Sequence, residues 1–238
     1  MKALWEQSDF RMAAGRAWRP GDAALTRHAL DWCAGRGLLP SGGLAVDMGC
    51  GAGATLELLA SLGLRAIGID ARAGLETAEV ADTLPPSIRR IRADVARPPL
   101  AASCADLILF ECVLSLLPEP SAALRAACRA LTPGGLCMVS DLTRRDTAQA
   151  AGGTASCLSG ARTAEGWRSL LTDAGLRILR EEDHSRALAE LAARLVWYGV
   201  AGQEAFAARG ACGCAGATPP KSHGYCLWIA RKEETCTP

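Results

Sequence analysis

Histidine and aromatic residues are scarce in this chain, which has 3 histidines, 3 phenylalanines and 2 tyrosines in 238 residues. Few histidines leave few ready general bases, and a lone histidine is more often structural or solvated than catalytic. Net charge is also small. The formal value is +1, and Arg89, Arg90 and Arg92 form only a minor basic cluster. A face able to neutralise phosphates is missing, so nucleic acid is not expected as a partner. No apolar run approaches the roughly 20 residues of a bilayer-spanning helix. The opening stretch Met1–Asp9 has no apolar core of the secretory type. Membrane insertion is therefore not expected, and the cytoplasm is the default location. Nothing in the pattern fixes an oligomeric state.

Cysteine, by contrast, is plentiful. Eleven cysteines, an odd number, are scattered along the chain without a secretion signal. Reduced thiols are expected rather than a disulfide framework. Cys104, Cys112, Cys128 and Cys137 lie inside apolar runs and read as small buried hydrophobes.

Short apolar runs alternate with amphipathic segments, the pattern of a parallel sheet covered by helices. Strands are expected at 44–48, 65–69, 88–93, 105–110, 136–140, 176–180 and 225–231. Helices are expected at 22–35, 55–62, 74–82, 120–131, 163–174 and 185–209. The fold class is α/β: a Rossmann-like, seven-stranded, mostly parallel sheet with helices on both faces and an antiparallel last strand. Residues 1–21 read as an N-terminal arm or lid bearing Trp5, Phe10, Met12 and Trp18, with Arg19-Pro-Gly21 as its hinge. Residues 22–238 form the main domain, and 210–224 a loop rich in Cys and Gly.

The stretch Asp47-Met-Gly49-Cys-Gly51-Ala-Gly53 follows a strand and precedes a helix. Glycines there let backbone approach a ligand closely. Asp70 ends the next strand, where a carboxylate can accept both ribose hydroxyls of an adenosine. Gly49, Gly51 and Ala54 also fit the dinucleotide fingerprint, so a nicotinamide cofactor has to be weighed. Asp47 argues against it, because a fixed negative charge beside the first glycine opposes a pyrophosphate. Asp94 and Glu111, at the ends of the next two strands, extend the acidic rim. Ligands of open α/β sheets bind at those carboxyl ends. Such a rim suits a cofactor that carries positive charge and no phosphate.

Val46-Asp-Met-Gly-Cys-Gly-Ala-Gly53 resembles motif I of class I S-adenosylmethionine (SAM)-dependent methyltransferases. Gly68-Ile-Asp70 resembles their ribose-binding motif, Ala93-Asp-Val95 the adenine-contacting turn and Ala105–Val113 the fourth-strand motif. Leu131-Thr-Pro-Gly-Gly-Leu136 resembles the turn before the fifth strand. The resemblance runs from about Ala24 to Leu142 and resumes weakly to Arg231. It is closest to the small-molecule group that includes ubiquinone and menaquinone biosynthesis enzymes. It implies SAM as cofactor, with Asp47 and Gly49 at the methionine moiety, Asp70 at the ribose, and Asp94 with Val95 at the adenine. Cys50, Gly51, Ala71 and Glu111 complete the implied cofactor site.

The acceptor is less constrained. Glu111-Cys-Val-Leu follows the fourth strand where amino-methylating DNA and protein-glutamine enzymes carry Asn/Asp-Pro-Pro-Tyr/Phe, so those substrates are rejected. A small molecule is expected: a thiol, an arsenic(III)-like centre or a quinone-type carbon. A soft nucleophile needs little activation, and orientation with desolvation supplies the rest. Cys157-Leu-Ser-Gly-Ala161 resembles the Cys-x-Gly-Gly-Ala stretch of arsenite methyltransferases, which makes Cys157, with Glu111, a substrate-side candidate. Cys212, Cys214, His223 and Cys226 form a Cys3His set suited to zinc or another thiophilic metal, though Cys-x-Cys is tighter than usual zinc spacing. Incidental thiols and a redox disulfide remain alternatives for that loop. Two further readings of the whole chain stay open: a non-catalytic metal- or redox-responsive module on this fold, and an NAD(P)-dependent oxidoreductase.

Overall fold

A computed structural model describes residues 8–72, 85–145, 158–198 and 222–233. Its elements run α1 (Ser8–Ala14), α2 (Asp22–Ala34), β1 (Leu44–Met48), α3 (Ala54–Ser61), β2 (Arg65–Asp70) and β3 (Ile88–Arg92). They continue with β4 (Ala105–Glu111), a 3-10 turn (Leu114–Leu116), α4 (Pro120–Ala130), β5 (Leu131–Arg144), α5 (Ala164–Asp173), β6 (Leu176–Asp183), α6 (Ser185–Trp197) and β7 (His223–Lys232). The expected helix at 74–82 lies outside the described residues.

The strands form one seven-stranded sheet in the order β3-β2-β1-β4-β5-β7-β6. β7 runs antiparallel to both β5 and β6, and the remaining pairs are parallel. This is the architecture expected from the alternating pattern. β4, whose central run Leu107–Phe110 is apolar, sits in the middle of the sheet. Strict alternation sends Ile108 and Phe110 to one face and Leu107 and Leu109 to the other. All four are wholly buried, as a parallel strand covered on both sides requires.

Each face has its own core. On the first, α4 and α5 supply Leu124, Ala127, Trp167 and Leu171. On the second, α2, α3 and the start of α6 supply Leu30, Leu56, Leu59 and Leu188. A smaller cluster joins Phe10 and Ala14 of α1 to Leu191 and Leu195 of α6, with Trp18 packed against it. The N-terminal arm and the last helix thus share one apolar seam.

Local chemistry sets the element ends. Pro120 stands in the first turn of α4, where its missing N–H is harmless. Thr163 caps α5 by accepting from the Gly166 N–H at 3.0 Å. β5 begins earlier than its apolar run. Leu131 pairs with Ala105 and Leu136 with Leu107, so Thr132-Pro-Gly-Gly135 is taken up as an irregularity between them. β5 also runs on to Arg144, because β7 pairs with it along its outer half. α6 ends at Trp197, close to the break expected at Gly199, and residues 199–209 of the expected helical stretch lie outside the described residues.

Trp167 ties α5 to the sheet. It is 1% exposed, and its indole N–H donates to the Leu142 carbonyl at 2.9 Å. Trp167→Ala opens a large cavity and orphans that carbonyl. It should cost about 3–5 kcal/mol, read as a lowered urea midpoint followed by circular dichroism.

Candidate functional site

At the carboxyl ends of β1, β2 and β4 lies a cavity of about 310 Å3. Its floor is the glycine loop between β1 and α3. Gly49 has φ +86°, and a Cβ there would stand 2.4 Å from Val113 Cγ2. At Gly68 in β2, a Cβ would stand 2.6 Å from Cys50 Sγ. Only glycine at both places lets the loop fold down against the sheet.

The loop uses its own donors internally. The N–H groups of Gly49 and Cys50 both reach the Ile69 carbonyl, at 2.6 and 3.2 Å, and Gly53 N–H reaches the Cys50 carbonyl at 2.8 Å. Gly51 N–H donates to Asp70 Oδ2 at 3.0 Å. A phosphate would need such groups free.

Acidic side chains ring the floor. Asp47, at the end of β1, is 3% exposed and lines the cavity. Burial first, and Glu111 second, push its carboxyl up to about 8, against the pull of Arg19. Asp70 takes a bidentate grip from Arg72, which donates from Nε and Nη2 at 3.0 Å each, and from its own N–H at 3.0 Å. Burial raises the Asp70 pKa, but the Arg72 hydrogen bonds outweigh it and hold the carboxyl below its ordinary value.

Glu111, at the end of β4, pairs with Arg19 at 2.9 Å, both side chains nearly sequestered from solvent. Glu111 also accepts from the Thr26 hydroxyl at 2.6 Å and the Thr55 hydroxyl at 2.8 Å. Arg19 Nη1 donates to the Ala17 carbonyl at 3.3 Å, while the buried Arg19 Nε has no partner. Burial works against the guanidinium charge, but Glu111, with Tyr225, Asp47 and Cys112 behind it, outweighs that and raises its pKa.

The far wall is apolar. Phe10, Trp18, Leu188 and Leu191 roof the cavity from the arm and α6, and Leu116 and Leu117 close it from the 3-10 turn. Asp141, wholly buried, fixes that turn by accepting from the Ser115 N–H at 3.0 Å. Cys112, with φ +57°, also lines the cavity. Its thiol donates to the Tyr225 hydroxyl at 3.3 Å, which donates to Ser140 Oγ at 3.0 Å. Burial pushes the Tyr225 pKa well up, so the phenol stays protonated.

Of the residues expected at the cofactor, Asp47, Gly49, Cys50, Gly51, Asp70, Ala71, Val95 and Glu111 all line this one cavity. Asp94 does not. It is exposed, and its carboxylate accepts the Ala96 N–H at 2.9 Å, shaping the turn that brings Val95 inward. Cys50 is buried, and its thiol is pushed up to about 12 by burial and by Asp47, so it packs rather than reacts. Cys157, Cys212 and Cys214 lie outside the described residues. His223 and Cys226 stand three residues apart on β7 and so face opposite sides of the sheet, Cys226 with Trp228 and Ala230 on the first face. The structure does not bring these two together as ligands of one ion. Cys33, Cys50, Cys104, Cys112, Cys128, Cys137 and Cys226 take part in no disulfide. Cys112, expected in the apolar core, is instead at the cavity wall. Arg19, Arg72, Thr26 and Thr55 went unassigned in the sequence. Only the hinge reading of Arg19-Pro-Gly21 touched one of them.

Asp47 makes the folded protein sensitive to pH. Its pKa is higher folded than unfolded, so the folded state holds the extra proton, and stability falls as pH rises from about 4 towards 8. Asp47→Asn removes this loss. Its Tm gain over the unsubstituted chain should be several degrees larger at pH 9 than at pH 5, measured by calorimetry without ligand.

Residues 46–139 match the family model described as a methyltransferase domain. A ubiquinone biosynthesis O-methyltransferase of Xanthomonas oryzae pv. oryzae (strain PXO99A) is 31% identical over 157 residues, which are 60% of this chain and 63% of that protein. The chain therefore spans less than two thirds of the length of such relatives. Among solved structures, the cyclase SpnF is 24% identical, with TM-score 0.69 over 92% of this chain and 84% of that one. An arsenic(III) SAM methyltransferase from Chlamydomonas reinhardtii is 21% identical, with TM-score 0.56 over 82% of this chain and 65% of that one. At these identities the solved structures speak for the fold. Together with the sheet order they show a Rossmann-like methyltransferase fold, within which residues 46–139 are similar to the methyltransferase-domain family.

Proposed function

We propose that the cavity binds SAM and that the chain transfers its methyl group to a small-molecule acceptor. The observation that carries this reading is the charge pattern around the glycine loop. Three acidic side chains and one buried guanidinium face a space where the N–H groups of Gly49, Cys50, Gly51 and Gly53 are already used. That set fits a zwitterionic amino-acid end and a sulfonium, and it opposes a pyrophosphate. The unpartnered Arg19 Nε gives a carboxylate a donor, and Asp47, held protonated by burial, regains its charge when a cation arrives beside it. Bound there, SAM supplies an electrophilic methyl group that needs no further activation.

In this reading Asp47 and Arg19 hold the methionine end, Asp70 the ribose, and Val95 one side of the adenine. All the acceptor capacity of Asp70 is engaged by Arg72 and Gly51. A ribose must therefore displace the Arg72 side chain, which is about one-third exposed. The acceptor enters against Phe10, Trp18, Leu188 and Leu191, which favours a molecule with an apolar or aromatic body. No histidine lines the cavity among the described residues, and Tyr225 and Cys112 are spent on each other. The protein positions and desolvates an acceptor that is already nucleophilic: a thiolate, an acidic phenol, an enol-type carbon or an arsenic(III) thiolate. The named activity of the Xanthomonas relative favours testing quinone-type phenols first.

Calorimetric titration of SAM into Asp70→Ala should show affinity at least tenfold weaker than in the unsubstituted chain, whereas Arg72→Ala should bind SAM at least as well. S-adenosylhomocysteine release should appear with a member of the phenol, thiol or arsenite panel. Tight NADH binding with none for SAM would replace this reading by the oxidoreductase.

A further inference from the structure

On the second face of the sheet, away from the cavity, two histidines converge on one carboxylate. His28 projects from α2, Glu182 from the end of β6, and His184 from just beyond it. His28 Nε2 is 3.0 Å from Glu182 Oε2 and 3.3 Å from Oε1. His184 Nε2 is 2.8 Å from the same Oε2. The two rings meet edge to face, with centroids 5.9 Å apart. One ligand atom from each of the three residues fits within 4.8 Å of the others. We propose that His28, Glu182 and His184 form a binding site for a divalent transition-metal ion, which ties α2 to the edge of the sheet.

The chemistry suits such an ion. Two imidazoles and one carboxylate oxygen are a donor set for zinc, cobalt, nickel or iron(II), and three protein ligands leave room for water. Donors about 2.0–2.1 Å from a tetrahedral ion stand roughly 3.3 Å from one another, so sub-ångström shifts of the present N···O separations admit it. Sequence supports the arrangement from one side, because Glu182 and His184 are two apart in extended chain and fall on the same side. Access is open: the side chains of His28, His184 and Glu182 are 49%, 26% and 17% exposed. Hydrogen bonding alone accounts for the contacts only if both rings carry their proton on Nε2. A bound ion would take those two lone pairs and leave the protons on Nδ1.

Arg180 is the opposing charge. Its guanidinium holds Glu182 Oε1 and lies 5.1 Å from the centre of the Trp32 ring. It lowers affinity for a cation, but it also turns Oε2 towards the histidines, as an orienting partner of a ligating carboxylate does. The ion would have a structural consequence for the cavity, since α2 also carries Thr26, which donates to Glu111.

The test is titration of Co2+ alone into the full chain after removal of metals by chelator. One equivalent is expected, with weak visible absorption and no thiolate-to-cobalt charge-transfer band. His28→Ala and His184→Ala should each weaken binding at least tenfold, while the double variant Cys212→Ser/Cys214→Ser should bind as the unsubstituted chain does. His28 is half exposed, and an unchanged metal-free melting curve for His28→Ala separates lost ligation from lost folding. The proposal is overturned if no Co2+ binds below about 1 mM, or if binding carries the thiolate band and survives both histidine substitutions.

Discussion

Arg19 and Glu111, buried side by side, hold together four parts of the chain that form the cavity. The guanidinium comes from the arm and the carboxylate from the end of β4, and the hydroxyls of Thr26 on α2 and Thr55 on α3 donate to that carboxylate. Burying two charges is costly, and the attraction between them repays that only when the geometry is good and the spare lone pairs are satisfied. Here the two threonines satisfy them. The arm can lie over the glycine loop because this pair gives it a polar anchor, while Phe10, Trp18, Leu191 and Leu195 give it an apolar one.

That anchor also governs the charge on Asp47. Buried beside the Glu111 charge, which Arg19 offsets only in part, Asp47 keeps its proton. The ligand-free site therefore stores unfavourable electrostatics that an incoming cation relieves. Functional sites commonly hold such strain, and removing it trades stability against binding. Cys112 is a second instance. A non-glycine residue at φ +57° persists because β4 ends there and the thiol is fixed on Tyr225.

The centre of the sheet was legible in the sequence because β1, β4 and the inner half of β5 are short, largely apolar runs, and a strand buried on both faces needs no periodicity to be seen. The glycine loop and the acids at the strand ends were legible for the same local reason: each lies within a few residues of its strand. What sequence did not reveal depends on distant pairing. Nothing near Arg19 announces Glu111, and nothing near His28 announces Glu182, 154 residues away. Asp94 erred in the other direction. Its position at a strand end suggested a cavity ligand, but a neighbouring N–H two residues on captured its carboxylate, as Asp side chains in turns readily do. The ends of β5 depended on β7, which closes the sheet from the far end of the chain.

The same distant pairing bears on what the cavity can do. Tyr225 reaches Cys112 from β7, and Cys112, just past the end of β4, lines the cavity. Their hydrogen bond leaves the first a buried, protonated phenol and the second a donor already in use. A proton acceptor at the apolar wall would have to be Glu111 or Asp47, yet one is committed to Arg19 and two threonines, and the other holds its proton until a cation pairs with it. A site so arranged gains little by removing a proton from its acceptor and much by excluding water and aligning reactants, the contribution that enclosure and proximity make. On the proposed methyl-transfer reading, acceptors that ionise readily near neutral pH fit it better than alcohols or amines. That preference follows from residues brought together only by the closed fold.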